Sequence, residues 1–205
     1  MMHWSIVAAV AIIFAFAAFL GAQLAAAVCA NIEPFEDGPR TGKPPTLLLC
    51  VGAAGLGAVI ASRGTIPPGI AILALLVCGL AACWCSDVRT GIIPDYFTLV
   101  PLAGLLVVSV FERNWLPVVS LILVGLPFAG AALVSKGRGM GWGDVKLVML
   151  AAAVLLLPMS FFAISGACML AVFVASFRKR RGEPIAFAPY LVTAVAVALC
   201  VPSLP

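Results

Sequence analysis

The chain has 205 residues, of which 64% are hydrophobic and 10% charged, with a mean hydropathy of +1.21. Soluble domains are roughly half apolar and about a quarter charged, so twelve Lys/Arg and eight Asp/Glu cannot cover a water-soluble body of this size. Disorder is excluded by the same figures, because disordered chains are polar and carry high net charge. The composition is that of an all-α, polytopic transmembrane helix bundle.

A bilayer core of about 30 Å needs roughly 20 apolar residues per helix, fewer where a helix is short or sheltered. In chain order the apolar runs are Trp4–Ala30, Thr46–Ser62, Pro68–Cys85, Tyr96–Phe111, Trp115–Ser135, Val145–Leu157, Ser160–Phe177 and Ile185–Val201. This pattern predicts eight spans. Val145–Leu157 is short for a crossing, and Pro158 either divides two helices or kinks one, which would leave seven.

Charge placement favours eight, because short cytoplasmic loops collect Lys and Arg. With the N-terminus outside, one set of loops holds Arg40, Lys43, Arg89, Lys136, Arg138, Lys146 and the run Arg178–Arg181, ten of the twelve basic residues, and the other holds Arg63 and Arg113. Merging two spans would place Arg178–Arg181 opposite the other basic loops. The first run begins Met-Met-His-Trp without a basic segment and is longer than the apolar core of a signal peptide, so it is expected to be a retained helix. Cleavage after its small-residue end would strand the charged loop Asn31–Pro45 on the outer side. The run Arg178–Arg181 is expected to set topology and meet anionic lipid. The cysteines (Cys29, Cys50, Cys78, Cys83, Cys85, Cys168, Cys200) all lie within or beside apolar runs with no C-x-x-C pair. They read as small apolar fillers, and with one histidine, His3, no structural metal site is expected.

Acidic residues at the edge of a membrane span are costly and default to functional candidates. Glu33, Glu36, Asp37, Glu112 and Glu183 fall in loops and read as solvated charge. Asp95 follows Pro94 directly before the fourth span, the usual place for a helix N-cap. Asp87 and Asp144 remain, at the end of the third span and the start of the sixth, and so at the same, cytoplasmic, membrane edge. Two carboxylates there suit hydrolysis of a peptide bond: one, ionised, takes a proton from water while the other, protonated, hydrogen-bonds the scissile carbonyl. The alternative is structural, with Asp144 capping a helix and Asp87 bonded to Arg89. Gly137, Gly139, Gly141 and Gly143 alternate immediately before Asp144, where glycine lets backbone approach a substrate strand or another helix closely. This favours the first reading. Their spacing is not that of a phosphate-binding loop.

At these residues the sequence resembles the type IV prepilin peptidase family, membrane aspartic proteases of the GxGD type. One motif is an Asp at a span end followed by Arg and Ile-Pro-Asp/Asn, here Asp87, Arg89, Ile93, Pro94 and Asp95. The other is G-x-G-x-G-D-x-K-L, here Gly139 to Leu147 and including Gly141, Gly143, Asp144 and Lys146. A third family segment, Pro-Phe-Gly-Pro-Tyr/Phe-Leu, is present in altered form as Ile185 to Leu191, with Pro189 in place. The resemblance covers roughly Pro68 to Pro205, which divides the chain into a two-span region, residues 1–65, and a six-span catalytic core, residues 66–205.

The resemblance implies that Asp87 and Asp144 are the catalytic pair. They would cut the basic leader from pilin-like precursors at the cytoplasmic face of a bacterial inner membrane, without a cofactor, a metal or a nucleic-acid partner. Larger members carry paired C-x-x-C motifs in a cytoplasmic region after the first span and N-methylate the new terminus. Only Asn31–Pro45 stands there in this chain, so it is more like the short, peptidase-only members.

Two expectations go further. Asp87 at a helix C-terminus and Asp144 at a helix N-terminus lie at ends of opposite dipole sign, pointing to Asp87 as holder of the shared proton and Asp144 as the base. Arg89 and Lys146, within two residues of the aspartates, either hold them ionised, meet the substrate, or reach lipid phosphates. The rival class is a proton- or cation-coupled transporter, which predicts mid-span acidic groups or matching halves, and neither appears. A non-enzymatic assembly subunit is the third option, favoured only if both Asp→Asn variants retained full function.

Overall fold

The fold comes from a computed structural model, which describes residues 4–31, 44–63, 69–135, 140–177 and 186–201. The described residues form eight helices and no strand: α1 (Trp4–Cys29), α2 (Thr46–Ser62), α3 (Ile70–Thr90), α4 (Asp95–Phe111), α5 (Leu116–Val134), α6 (Trp142–Leu155), α7 (Met159–Phe177) and α8 (Ala188–Cys200). Four of them, α1, α3, α5 and α7, are long and apolar enough to cross a membrane, while α2, α4 and α8 are apolar but shorter. Large apolar side chains such as Phe16, Leu47, Val107, Leu126, Phe162 and Phe173 are exposed, as a surface facing lipid requires. The fold is an α-helical membrane bundle.

The division at Pro158 is real. α6 stops at Leu155, Leu156 turns to a φ of 59°, and α7 restarts at Met159. The broken backbone is held across the turn, since Leu157 N–H donates to Ser120 Oγ of α5 at 3.2 Å. α6 has 14 residues, about 21 Å at 1.5 Å per residue, short for a bilayer-facing span. It tolerates that length because Leu147, Val148, Leu150, Ala151, Ala152 and Ala153 are almost wholly buried. It is an interior helix packed against α4, α5, α7 and α8.

Contacts between helix ends fix the directions of α2 to α6 and α8. Arg63, just past α2, donates to the carbonyls of Leu199 and Cys200 at the end of α8, so these two C-termini share one end of the bundle. This gives one of the two basic residues of the sparsely charged side a defined task, satisfying carbonyls that a helix end leaves unpaired. Ser120 near the start of α5 and Leu157 past the end of α6 meet in the same way. At the opposite end, the C-terminus of α3 gathers with the N-termini of α4, α6 and α8.

Lipid tails are as apolar as leucine, so helices in a membrane associate through close packing of small residues. α1 buries Val10, Phe14, Ala17, Gly21 and Ala25 on one face, set against α2 and α3. Gly21 lies directly on the Cys78 carbonyl of α3, and Gly57 of α2 sits against Val10 of α1. Gly79 of α3 meets α4 at Pro101, where an added Cβ would lie 2.6 Å from the ring and 2.7 Å from the Phe97 carbonyl. The seven cysteines are all free, with Cys83 and Cys85 buried among apolar neighbours.

A helical Gly→Ala change on its own stabilises by up to about 1 kcal/mol, whereas forcing atoms into a packed contact costs about 1–3 kcal/mol. Gly79→Ala is therefore expected to lower the thermal unfolding midpoint of the detergent-solubilised protein. Gly55→Ala, at a position with open space around it, is expected to leave the midpoint unchanged or raise it. Equal midpoints for the two variants would contradict the α3–α4 packing described here.

Candidate active site

The site begins with the way α3 ends. Gly91 adopts the left-handed conformation, φ 69° and ψ 11°, and its N–H returns to the Asp87 carbonyl at 2.9 Å, a glycine stop that other residues adopt only with strain. Polar side chains lock the turn that follows. Thr90 Oγ1 donates to the Ser86 carbonyl at 3.0 Å and accepts from Ile92 N–H at 3.3 Å, and the Ser86 hydroxyl donates to the Ile92 carbonyl. This small knot fixes Asp87 on the last turn of α3 and carries the chain through Ile93 and Pro94 into α4.

Asp87 is 5% exposed. A buried carboxylate needs donors, and it receives one from the backbone: Ala188 N–H donates to Asp87 Oδ2 at 2.8 Å. The Phe187 N–H also acts on this carboxylate. Ala188 is the first residue of α8, followed by Pro189, whose fixed φ suits the first turn of a helix. The segment Ile185 to Leu191 thus forms the start of α8 from Ala188 onward. Its contribution at Asp87 is a main-chain N–H, which alanine supplies as well as glycine does. Asp87 therefore lies between the negative end of α3 and the positive end of α8. The helix-dipole comparison that pointed to it as proton holder counted α3 alone; the start of α8 offsets that negative end and narrows the difference from Asp144, which faces only a positive helix end, without reversing it.

Asp144 is the third residue of α6 and half-buried. Its side chain turns back toward the N-cap: Gly141 N–H hydrogen-bonds the carboxylate, whose Oδ2 lies 3.6 Å from where a Cβ on Gly141 would stand. That is the carboxylate half of a capping box. Gly143 allows close approach, since a Cβ there would be 3.0 Å from Cβ of Ile93. Gly143 thus packs against the turn that follows Asp87, and the two carboxylates lie within electrostatic range of each other.

The remaining candidates fall differently from expectation. Asp95 is the first residue of α4, whose N-cap is Pro94, and its carboxylate forms an ion pair with Lys146 Nζ. The N-cap expectation for Asp95 is thereby corrected, because this carboxylate faces an ammonium rather than its own helix N–H groups. Lys146 likewise reaches α4 rather than Asp144. Arg89 is half-buried and forms no ion pair with Asp87, the Lys146–Asp95 bridge being the one ion pair among the described residues. Gly139, Gly137, Lys136, Arg138, Arg178–Arg181 and the acidic residues of the first loop lie outside the described residues. No group of three or more His, Cys, Asp or Glu among the described residues is placed to hold a metal ion.

Sequence reading missed Ala188 and Phe187, because a main-chain donor carries no residue signature. It also missed Ser86, Thr90 and Gly91, whose signal was the Gly two residues after Arg89 at a span end. The result is a pair of carboxylates at one end of the bundle, one buried and one half-buried, each held by backbone N–H groups. Such a pair can share a proton and act on a polar bond brought to that edge.

No curated protein and no solved structure matches the chain. A family model described as the type IV leader peptidase family matches residues 73–176, just over half of the 205 residues. The matched stretch runs from α3 through α7 and contains both Asp87 and Asp144, while α8, with Ala188, lies beyond it. The chain is a membrane protein and belongs to the type IV leader peptidase family.

Proposed function

We propose that this peptidase works by aspartic acid–base catalysis, with Asp87 and Asp144 as the catalytic residues, and cuts the basic leader from pilin-like precursors. The observation that carries this reading is the seating of Gly143, next to Asp144, on Ile93 in the turn after α3, with the two carboxylates within electrostatic range at one end of the bundle. In the reaction one carboxylate removes a proton from water, whose oxygen attacks the scissile carbonyl carbon. The other carboxyl donates a hydrogen bond to the carbonyl oxygen and then returns a proton to the leaving amine, so that each turnover restores the shared proton. The backbone donors at Gly141 and Ala188 keep both groups in place without adding a charge.

Orientation follows from the loops. In the sequence, ten of the twelve basic residues fall in or beside the loops on the side where Asp87 and Asp144 fall, and by the positive-inside rule that side is the cytoplasm, with the inner membrane of a bacterium as location. Leader removal without methyl transfer fits the brevity of Asn31–Pro45, which lacks paired cysteines. The transporter reading finds no support among the described residues, since the acidic groups lie at helix ends rather than in mid-helix.

Two outcomes are expected. Removing a general acid or base costs about 10²–10⁴-fold in rate, so Asp87→Asn and Asp144→Asn should each abolish cleavage of a co-expressed pilin-like precursor on an immunoblot while the protein stays in the membrane. Full processing by either variant would sink the reading. Mass spectrometry of the cleaved product should give the mass of an unmodified N-terminus, and a methylated product would contradict the peptidase-only assignment.

A further inference from the structure

Asp87 and Asp144 stand on helices that share no extended contact: α3 packs on α1, α2, α4 and α8, and α6 on α4, α5, α7 and α8. Their separation is therefore set by the helices between them. On the α8 side the link is the Ala188 N–H held by Asp87. On the α4 side there are two links, the seating of Gly143 on Ile93 and the ion pair between Lys146 and Asp95.

We propose that the Lys146–Asp95 ion pair is the tie that holds the first turn of α6 in register with the turn after α3, making both residues positioning residues for the aspartate pair. This rests on the reading that Asp87 and Asp144 react. Lys146 follows Asp144 by two residues, and at 3.6 residues per turn the two side chains project about 200° apart. Lys146 thus points at α4 when Asp144 points at the site, and it acts on Asp144 only through the helix they share. The side chain of Lys146 is 27% exposed against 61% for Asp95, so the lysine is the more enclosed partner and the bridge lies where the helices meet. An exposed ion pair adds little to global stability, about 0–1 kcal/mol. The effect of this one is expected in geometry, where a displacement of about 1 Å can cost on the order of 100-fold in rate.

The test uses the full-length enzyme in detergent or liposomes, with a purified pilin-like precursor as probe, and reads kcat and KM separately. Lys146→Met and Asp95→Asn should each lower kcat about 10- to 100-fold with KM and unfolding midpoint close to wild type. Lys146→Arg, which keeps the charge, should recover most of kcat, and the exchange Lys146→Asp with Asp95→Lys should exceed either of its single changes. A raised KM at unchanged kcat would mean that the pair meets substrate and would overturn the inference, as would wild-type kcat in Lys146→Met. Asp87→Asn and Asp144→Asn run alongside: if they are inactive while Lys146→Met is normal, the tie is wrong and the catalytic pair stands, whereas activity in either aspartate variant removes the catalytic reading itself.

Discussion

A carboxylate placed at the end of a buried membrane helix must find hydrogen-bond donors, and that constraint organises this molecule. Asp87 meets it with the N-terminus of α8, a helix more than a hundred residues later in the chain, through the Ala188 N–H. Helix N-termini offer N–H groups with no partner of their own, and they supply partial positive charge without a basic side chain having to be buried. The direction of α8 follows from this need. Its N-terminus lies with Asp87, and its far end is closed by Arg63 on the carbonyls of Leu199 and Cys200.

The same logic applies at Asp144, where the donor is the N-cap of its own helix. Each aspartate is thus held by backbone, and the scarce charged side chains remain for other work: Lys146 and Asp95 join α6 to α4, and Arg63 joins α2 to α8. Small residues complete the arrangement. Gly143 lets α6 approach Ile93, and Gly79 lets α3 approach α4, so both close approaches depend on residues without side chains. In a membrane, where apolar surface gives helices no preference for one another over lipid, such contacts decide which helices meet.

Much of this was legible in the sequence. Hydropathy alone located all eight helices to within a few residues, because the bilayer demands long apolar runs and the loops interrupt them with charge. The break at Pro158 was supported by the side on which Arg178–Arg181 would otherwise fall, and the chain does turn at Leu156. Asp87 and Asp144 stood out because so few acidic residues lie at span edges. The donor at Ala188, by contrast, could not be read, since any residue but proline has that N–H. The Lys146–Asp95 pairing was hidden by a separation of 51 residues, and Asp95 was misread as a cap because local position was the sole signal. The glycines before Asp144 fitted either a substrate strand or a neighbouring helix, and at Gly143 the neighbour is Ile93.

The central claim is that Asp87 and Asp144 act together on one carbonyl. The most direct measurement is an experimental structure of the enzyme bound to a precursor peptide whose scissile amide is replaced by a hydroxyethylene group, which imitates the tetrahedral intermediate and so binds where the reaction occurs. The account predicts the inhibitor hydroxyl within hydrogen-bond distance of both carboxylates, at the edge between α3 and α6. An inhibitor seated so that only one of the two aspartates, or neither, reaches that hydroxyl would contradict it.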